Sequence, residues 1–245
     1  MDGQDHGHRT AWRPLPLTDP SVAESGGWGV WYVAETGSTN ADLLTATDAP
    51  NRTVLVAGHQ TAGRGRLDRT WEAPAGANLL ASIRFTEVPQ RPADLTRAVG
   101  VAAVDAVAEV TGLGARLKWP NDVLLEGRKL AGILAQRSPA GPVVVGIGLN
   151  VGWSPAGAAA LGAGVDPVAV LTALLAALDV PHVDDHARYH ELLETLGREV
   201  RVELPSGELV GRAVDVDRDG RLAVVDACAI THHIDAGDVV HLRGV

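Results

Sequence analysis

Between Gly63 and Trp71 the chain reads Gly63-Arg64-Gly65-Arg66-Leu67-Asp68-Arg69-Thr70-Trp71, three arginines against one aspartate. Over its 245 residues the protein carries 21 Lys and Arg against 30 Asp and Glu, a formal net charge of −9. The segment is therefore an island of positive charge on an acidic chain. A guanidinium fork matches phosphate and carboxylate oxygens, and paired glycines let backbone approach a ligand or take positive φ. A solvated loop with ordinary surface arginines has the same composition, and this segment alone does not separate the two readings.

A second dense stretch is Lys118-Trp119-Pro120-Asn121-Asp122. It sets an ammonium, a carboxamide and a carboxylate around a proline that stiffens the turn. Asp122 could hold a magnesium ion or accept a proton from an amine, and Asn121 could donate and accept within one small site. The plain alternatives are a snorkelling Lys118 and an ordinary Asn-Asp turn. Next, Gly127-Arg128-Lys129-Leu130-Ala131-Gly132 starts a strand with Lys129. That ammonium is placed to stabilise charge on a transferring oxygen, or simply to block edge pairing. Finally, Gly146-Ile147-Gly148-Leu149-Asn150 has Gly-x-Gly, but Val151 stands where a dinucleotide fingerprint needs its third glycine. A ligand lying against this strand, with Asn150 reading it, is the better expectation. No P-loop pattern occurs, and the histidines show no zinc spacing.

These segments need elements to hold them. Alternation predicts strands over 28–34, 53–57 and 78–85, and Thr36-Gly37-Ser38-Thr39-Asn40 leads into a short helix. Apolar spacing of three and four predicts a helix over 95–110, ended by Gly112. A hairpin region follows, with extended 116–119 and 123–125, a turn at Gly127 and a return over 129–135. Residues 143–151 read as a central strand, and helices are expected over 167–179 and about 184–196. From Gly197 the texture becomes short β-branched runs split by turn pairs such as Ser206-Gly207 and Asp219-Gly220, a small all-β module. The expected organisation is an aperiodic arm (1–27, with Leu15 and Leu17 able to pin part of it), an α+β domain (28–196) and a small barrel (197–245).

The acidic balance argues against a bulk electrostatic grip on nucleic acid. Cys228 is the only cysteine, which excludes an internal disulfide and suits a reducing, cytoplasmic setting. Neither a signal-like start nor an 18-residue apolar run is present, so no membrane role is expected.

Five ordered motifs together resemble the biotin protein ligase family: Glu35-Thr36-Gly37-Ser38-Thr39-Asn40, Gln60-Thr61-Ala62-Gly63-Arg64-Gly65-Arg66, Lys118 to Asp122, Lys129-Leu130-Ala131-Gly132-Ile133-Leu134 and Gly146 to Asn150. The likeness spans roughly residues 31–242. It implies a mixed-sheet catalytic domain of the class II aminoacyl-tRNA synthetase/biotin protein ligase type with a small C-terminal SH3-like β-barrel. It also implies ATP, biotin and magnesium as reactants, and a biotin carboxyl carrier protein or domain of an acyl-CoA carboxylase as acceptor. By the same resemblance Ser38, Thr39, Asn40, Gln60, Arg64 and Lys129 bind biotin. Arg64, Arg66, Arg69, Trp71, Lys118, Asn121 and Asn150 hold the nucleotide. Lys129, Arg66 and Asp122 carry the chemistry, with Asp122 also a candidate magnesium ligand. Many relatives begin with a DNA-binding helix-turn-helix; the short stretch before the motifs leads us to expect the form without one. Lipoate–protein ligase is the nearest rival, and a non-catalytic phosphometabolite-binding module the rival of another class. The loop departs from the family at Leu67-Asp68, where Asp68 is expected to pair with Arg66 or Arg69.

Overall fold

A computed structural model describes residues 12–180, 185–204, 207–235 and 237–242. The chain runs β1 (Arg13–Pro14), α1 (Pro20–Gly26), β2 (Gly29–Thr36), α2 (Thr39–Thr45), β3 (Thr53–Gln60), β4 (Leu79–Phe85) and α3 (Ala93–Thr111). It continues through β5 (Ala115–Lys118), β6 (Asp122–Leu125), β7 (Arg128–Arg137), β8 (Val143–Leu149), α4 (Pro167–Asp179) and α5 (Asp185–Leu192). Then come β9 (Glu199–Leu204), β10 (Gly207–Val216), β11 (Leu222–Asp226), β12 (Thr231–Ile234) and β13 (Asp238–His241). The first eight strands make one mixed sheet in the order β1-β2-β3-β4-β8-β7-β6-β5, in which only β2 and β3 run parallel. The last five make a separate antiparallel sheet in the order β12-β11-β10-β9-β13.

The expected elements are present with shifted ends; the second late helix stops at Leu192 rather than Leu196. Residues 12–27 correct the aperiodic arm. Arg13 and Pro14 pair with Tyr32 and Trp31, and α1 is capped by Asp19, whose side chain accepts from Ser21 N–H, with Gly27 at φ 65 closing it. A seven-residue helix has little stability of its own, so its order comes from packing on α4, which sequence periodicity does not show. The first eleven residues of the arm, the Asp184 helix start and Ser206 lie outside the described residues.

Side-chain alternation assigns the faces of the main sheet. On β8, Val143, Val145, Ile147 and Leu149 enter the large core with α3 and α4, while Val144 joins a smaller core with Leu43 and Leu55 beneath α2. Positions 146 and 148 therefore face the α2 side. Arg84 of β4 is buried on that same side and donates to the carbonyls of Leu43, Thr47 and Ala49, at 3.1, 3.3 and 3.0 Å. One guanidinium thus satisfies Leu43 O in the last turn of α2 and two carbonyls of the turn that follows, with favourable charge at a helix C-terminus.

The second sheet is fixed to the first domain by side chains that reach across. Trp119 Nε1 donates to Gly220 O at 2.8 Å, Arg97 to Arg218 O at 2.9 Å, and the imidazoles of His186 and His190 both meet Val216 O. His241 contacts Thr195 Oγ1 at 3.2 Å. Burial, then the neighbouring Lys118 and Arg198, hold its pKa down at about 4 against an ordinary 6.5.

Two outcomes are expected. Arg84→Met strands three buried carbonyls and should cost about 3 kcal/mol in urea unfolding; a loss below about 1 kcal/mol would show that water replaces the guanidinium. For His241, the unfolded chain takes up a proton below about pH 6.5 while the folded chain resists until about 4. Its stabilisation is therefore complete above pH 6.5 and lost as pH falls towards 4. Between pH 7 and 4.5 the wild type should lose about 1–2 kcal/mol more than His241→Gln, discounted for the partial exposure of the ring. Equal losses would remove His241 from the account.

Candidate active site

On the α2 side of the sheet, three neighbouring positions have no side chain. Gly132 of β7 pairs with Gly148 of β8, and Gly146 pairs with Ser82 of β4. A methyl group at Gly148 would lie 2.4 Å from the Trp71 indole, one at Gly146 2.2 Å from Asn40 Oδ1, and one at Gly132 3.1 Å from Trp71 and 3.3 Å from Lys129 Nζ. The glycines make the floor of a cavity of about 360 Å³. The sequence suggests a ligand lying directly on this floor; in the structure, Trp71 and Asn40 lie there, and their edges form the cavity's base.

At the α2 end, Gln60 Oε1 accepts from both Thr39 N–H (2.8 Å) and Thr39 Oγ1 (3.0 Å). Ser82 Oγ donates to Asn40 Oδ1 at 2.6 Å and also contacts Thr39 Oγ1. Asn40 Nδ2 donates to Leu134 O and Gln136 Oε1. Thr39 and Asn40 therefore line the cavity with side chains held in place by hydrogen bonds within the protein. Ser38, the N-cap residue of α2, makes no side-chain capping bond, and the N–H of Thr39, the first helical residue, goes to Gln60. Gln60 was legible as a polar end of β3; Ser82, a single hydroxyl within β4, belongs to no motif.

The Gly/Arg segment is a hairpin, not a flexible loop. Trp71 N–H donates to Gly63 O at 2.9 Å, Arg64 bridges Thr70, and Gly65 N–H donates to Arg69 O at 2.6 Å. Leu67 and Asp68 turn it with φ of 54° and 56°, a left-handed pair where Asn-Gly is the usual solution. The expected Asp68 pairing does not form. Arg69 instead makes an ion pair with Asp238 from the C-terminal module, while Arg66 donates to Asn121 Oδ1 at 3.2 Å and approaches Gly237 O at 3.5 Å. Burial lowers the Arg66 pKa, Asp238 and Asp122 pull it back up, and Arg69 opposes them. Arg64 is exposed at the lip.

Facing the hairpin, Lys129 Nζ sits 2.7 Å from Asp122 Oδ1 and 5.7 Å from the centre of the Trp71 ring. Asp122 Oδ1 is buried and has no aligned hydrogen bond, so the contact is one of charge rather than direction. Asn121 Nδ2 donates to Ile133 O at 2.7 Å. Ser38, Thr39, Asn40, Gln60, Arg64, Arg66, Arg69, Trp71, Asn121, Asp122, Lys129 and Asn150 all line the one cavity. Lys118 does not. It lines a smaller hollow with Thr96 and Tyr189, and burial lowers its pKa, with Asp122 raising it and Lys129 lowering it further. In the β5–β6 register Lys118 stands opposite Asp122, so it acts on the site through the field. Asn150 lines the cavity while its Nδ2 donates to Ala159 O and its Oδ1 accepts from Asn78. Asp238, the first residue of β13, and Trp153, in the segment after β8, also line the cavity, and Asn78 donates to Asn150 Oδ1; no motif marks any of the three. Trp71 Nε1 is buried with no partner among the described residues. No group of three His, Cys, Asp or Glu side chains converges there either, so Asp122 has no protein-built metal cage around it.

Residues 32–152 match the biotin/lipoate A/B protein ligase family, and residues 195–242 the biotin protein ligase C-terminal domain. The chain is 42% identical over 254 residues to the biotin–[acetyl-CoA-carboxylase] ligase of Mycobacterium tuberculosis (strain ATCC 25618 / H37Rv), covering 93% of this chain and 94% of that protein. It is 40% identical over 182 residues to the protein of the same name from Paracoccus denitrificans, covering 67% and 74%. Among solved structures, it superposes on the biotin protein ligase from Aquifex aeolicus in complex with biotin and ATP with a TM-score of 0.76 at 26% identity, over 88% of this chain and 99% of that one.

The glycine floor makes a specific expectation. Gly148→Ala drives a methyl into the indole and should cost about 1–3 kcal/mol as Trp71 is displaced. The Trp71 indole N–H resonance, assigned by its loss in Trp71→Phe, should shift. Gly114→Ala, with open space around it, should change neither. An unmoved resonance in Gly148→Ala would mean that Trp71 does not rest on the floor.

Proposed function

As the chain belongs to the biotin protein ligase family, we propose that this cavity performs both half-reactions of a biotin–[acetyl-CoA-carboxylase] ligase. Biotin and ATP give biotinyl-5′-AMP and pyrophosphate. The biotinyl group then passes to the ε-amine of one lysine in the biotin carboxyl carrier protein or domain of an acyl-CoA carboxylase, and AMP leaves. The observation that carries the reading is the convergence of Arg66, Asp122 and Lys129 on one cavity floored by glycine. Dispersal of these groups would have favoured a binding module.

In the first half-reaction a biotin carboxylate oxygen attacks the α-phosphorus, and the bond to pyrophosphate breaks. Negative charge gathers on the phosphoryl oxygens, where Lys129 and Arg66 stabilise it more in the transition state than in the ground state. Magnesium enters as part of the MgATP substrate and screens the triphosphate. Ser38 and Gln60 orient biotin, in a wall that Thr39 and Asn40 hold rigid. Trp71, Asn121 and Asn150 face the nucleotide, Arg64 and Arg69 close over it, and Lys118 acts from behind through charge.

In the second half-reaction the acceptor lysine arrives protonated, with a pKa of about 10.4 in water. Asp122 takes that proton, the free amine attacks the acyl carbon, and the acyl–phosphate C–O bond breaks to release AMP. The Lys129–Asp122 contact must open for this, which a charge contact without an aligned hydrogen bond permits at low cost. In this reading residues 28–196 form the adenylate-forming domain and 197–245 a small barrel that supports it. The substrates and the carrier place the reaction in the cytoplasm; no helix among the described residues is long and apolar enough to cross a membrane.

Incubation with MgATP, a carrier domain and either biotin or lipoate tests the proposal. Mass addition on one carrier lysine is expected with biotin alone. Lys129→Ala should lose pyrophosphate release by about 100-fold or more while keeping its far-ultraviolet circular dichroism. Wild-type release from that variant would refute the role given to Lys129, and addition of lipoate would refute the substrate.

A further inference from the structure

Two of the hairpin's three arginines are held from outside the catalytic domain. Asp238 opens β13 and belongs to the C-terminal sheet, yet it lines the main cavity and pairs with Arg69. Beside it, Gly237 O faces Arg66 at 3.5 Å. Gly237 lies flat against β9, where a methyl group would meet Val202 Cγ1 at 2.7 Å. Only a glycine there lets the backbone approach β9 this closely while its carbonyl faces the hairpin.

The anchor itself is rigid. Asp238 is in register with Glu203 of β9, and the sheet is tied to the catalytic domain through Gly220 O and Arg218 O. The hairpin's own backbone bonds hold its stem and close its tip, where Arg69 N–H donates to Arg66 O at 3.2 Å across two left-handed residues, but they fix the hairpin only to itself. Its arginines need an external point of reference to hold one position over a ligand.

Charge points the same way. Arg66, Arg69, Lys118 and Lys129 act on one another across the site, and the carboxylates that counter them are Asp122 and Asp238. Asp122 is engaged by Lys129. Asp238 is therefore the counter-charge left for the hairpin, and it lets Arg66 and Arg69 sit close together without driving the hairpin open.

We propose that Asp238 is a positioning residue for the ligase reaction: it latches the arginine hairpin to the C-terminal module and so sets how long the acyl-adenylate is retained. The assignment rests on the functional reading above. Arg69 is 64% exposed at its side chain, and such a pair contributes little to global stability. A merely structural role would show in unfolding, whereas a latch shows in ligand release.

The test measures release of biotinyl-5′-AMP formed on the full chain from biotin and MgATP. In Asp238→Ala, release should speed up about 10-fold or more, as expected for loss of a charge-assisted contact, while the urea midpoint stays near wild type. Asp238→Glu should restore slow release to within about 3-fold, since the carboxylate can still reach the guanidinium. Arg69→Ala should speed release similarly, and the double variant should be no faster than the faster single one, the signature of one shared interaction. Wild-type release in Asp238→Ala, multiplicative effects in the double variant, or failure of Asp238→Glu to restore retention would each overturn the assignment alone. If the wild type forms no biotinyl-5′-AMP, the functional reading falls and the assignment with it.

Discussion

The site depends on three side chains that are not there. Gly132, Gly146 and Gly148 occupy adjacent positions on the α2 side of the sheet, on a face that elsewhere carries side chains such as Val144, Leu55 and Arg84. Any Cβ at 146 or 148 would fall inside atoms of Asn40 or Trp71. Removing bulk from a sheet normally weakens it. Here the loss is offset because an indole and a carboxamide pack in the space, one from the arginine hairpin and the other from α2. The floor thereby couples three separate segments of chain, and the cavity takes its depth from that coupling.

Above the floor the arrangement is electrostatic. A protein with a net charge of −9 lines one cavity with Arg64, Arg66, Arg69 and Lys129 against Glu72, Asp122 and Asp238, with Lys118 behind the wall. The positive balance favours a polyphosphate ligand, and the carboxylates keep the cations from dispersing before it arrives. Burial matters as much as charge. It lowers the pKa of Arg66 and Lys118, which marks the cost of drawing cations out of water, and it is this exclusion of water that makes their later contact with phosphate strong.

Much of this was legible in the sequence because it is local. Period-two and three-to-four spacing located the strands and helices of the catalytic domain, and turn pairs located those of the C-terminal sheet. The ordered motifs named the segments that meet at the cavity. What was not legible is how each polar side chain is used. Asn40 and Asn150 both line the cavity, and the sequence does not show that each also makes hydrogen bonds that hold the fold. Lys118 belongs to a cavity motif but lies behind the wall. Motif membership fixes a residue's neighbourhood, whereas the direction of its side chain depends on partners far away in sequence. Asp238 is the extreme case: it reaches Arg69 across 169 positions, and no local pattern marks it. The α1 segment failed for a related reason, since its order comes from α4 rather than from its own spacing.

The Lys129–Asp122 contact gives the two proposed half-reactions a common hinge. The first needs Lys129 on phosphoryl oxygens, and the second needs an Asp122 oxygen open to an incoming ammonium. While the two groups face each other at 2.7 Å, neither is fully committed to a ligand. An oxyanion that attracts Lys129 withdraws the ammonium from Asp122, so occupancy by an acyl-phosphate exposes the base that the following step uses. A phosphoryl anion that enters the cavity competes with Asp122 for the same ammonium. The order of the chemistry then follows from one ammonium choosing between two anions, on a strand whose next inward-facing glycine leaves it room to move.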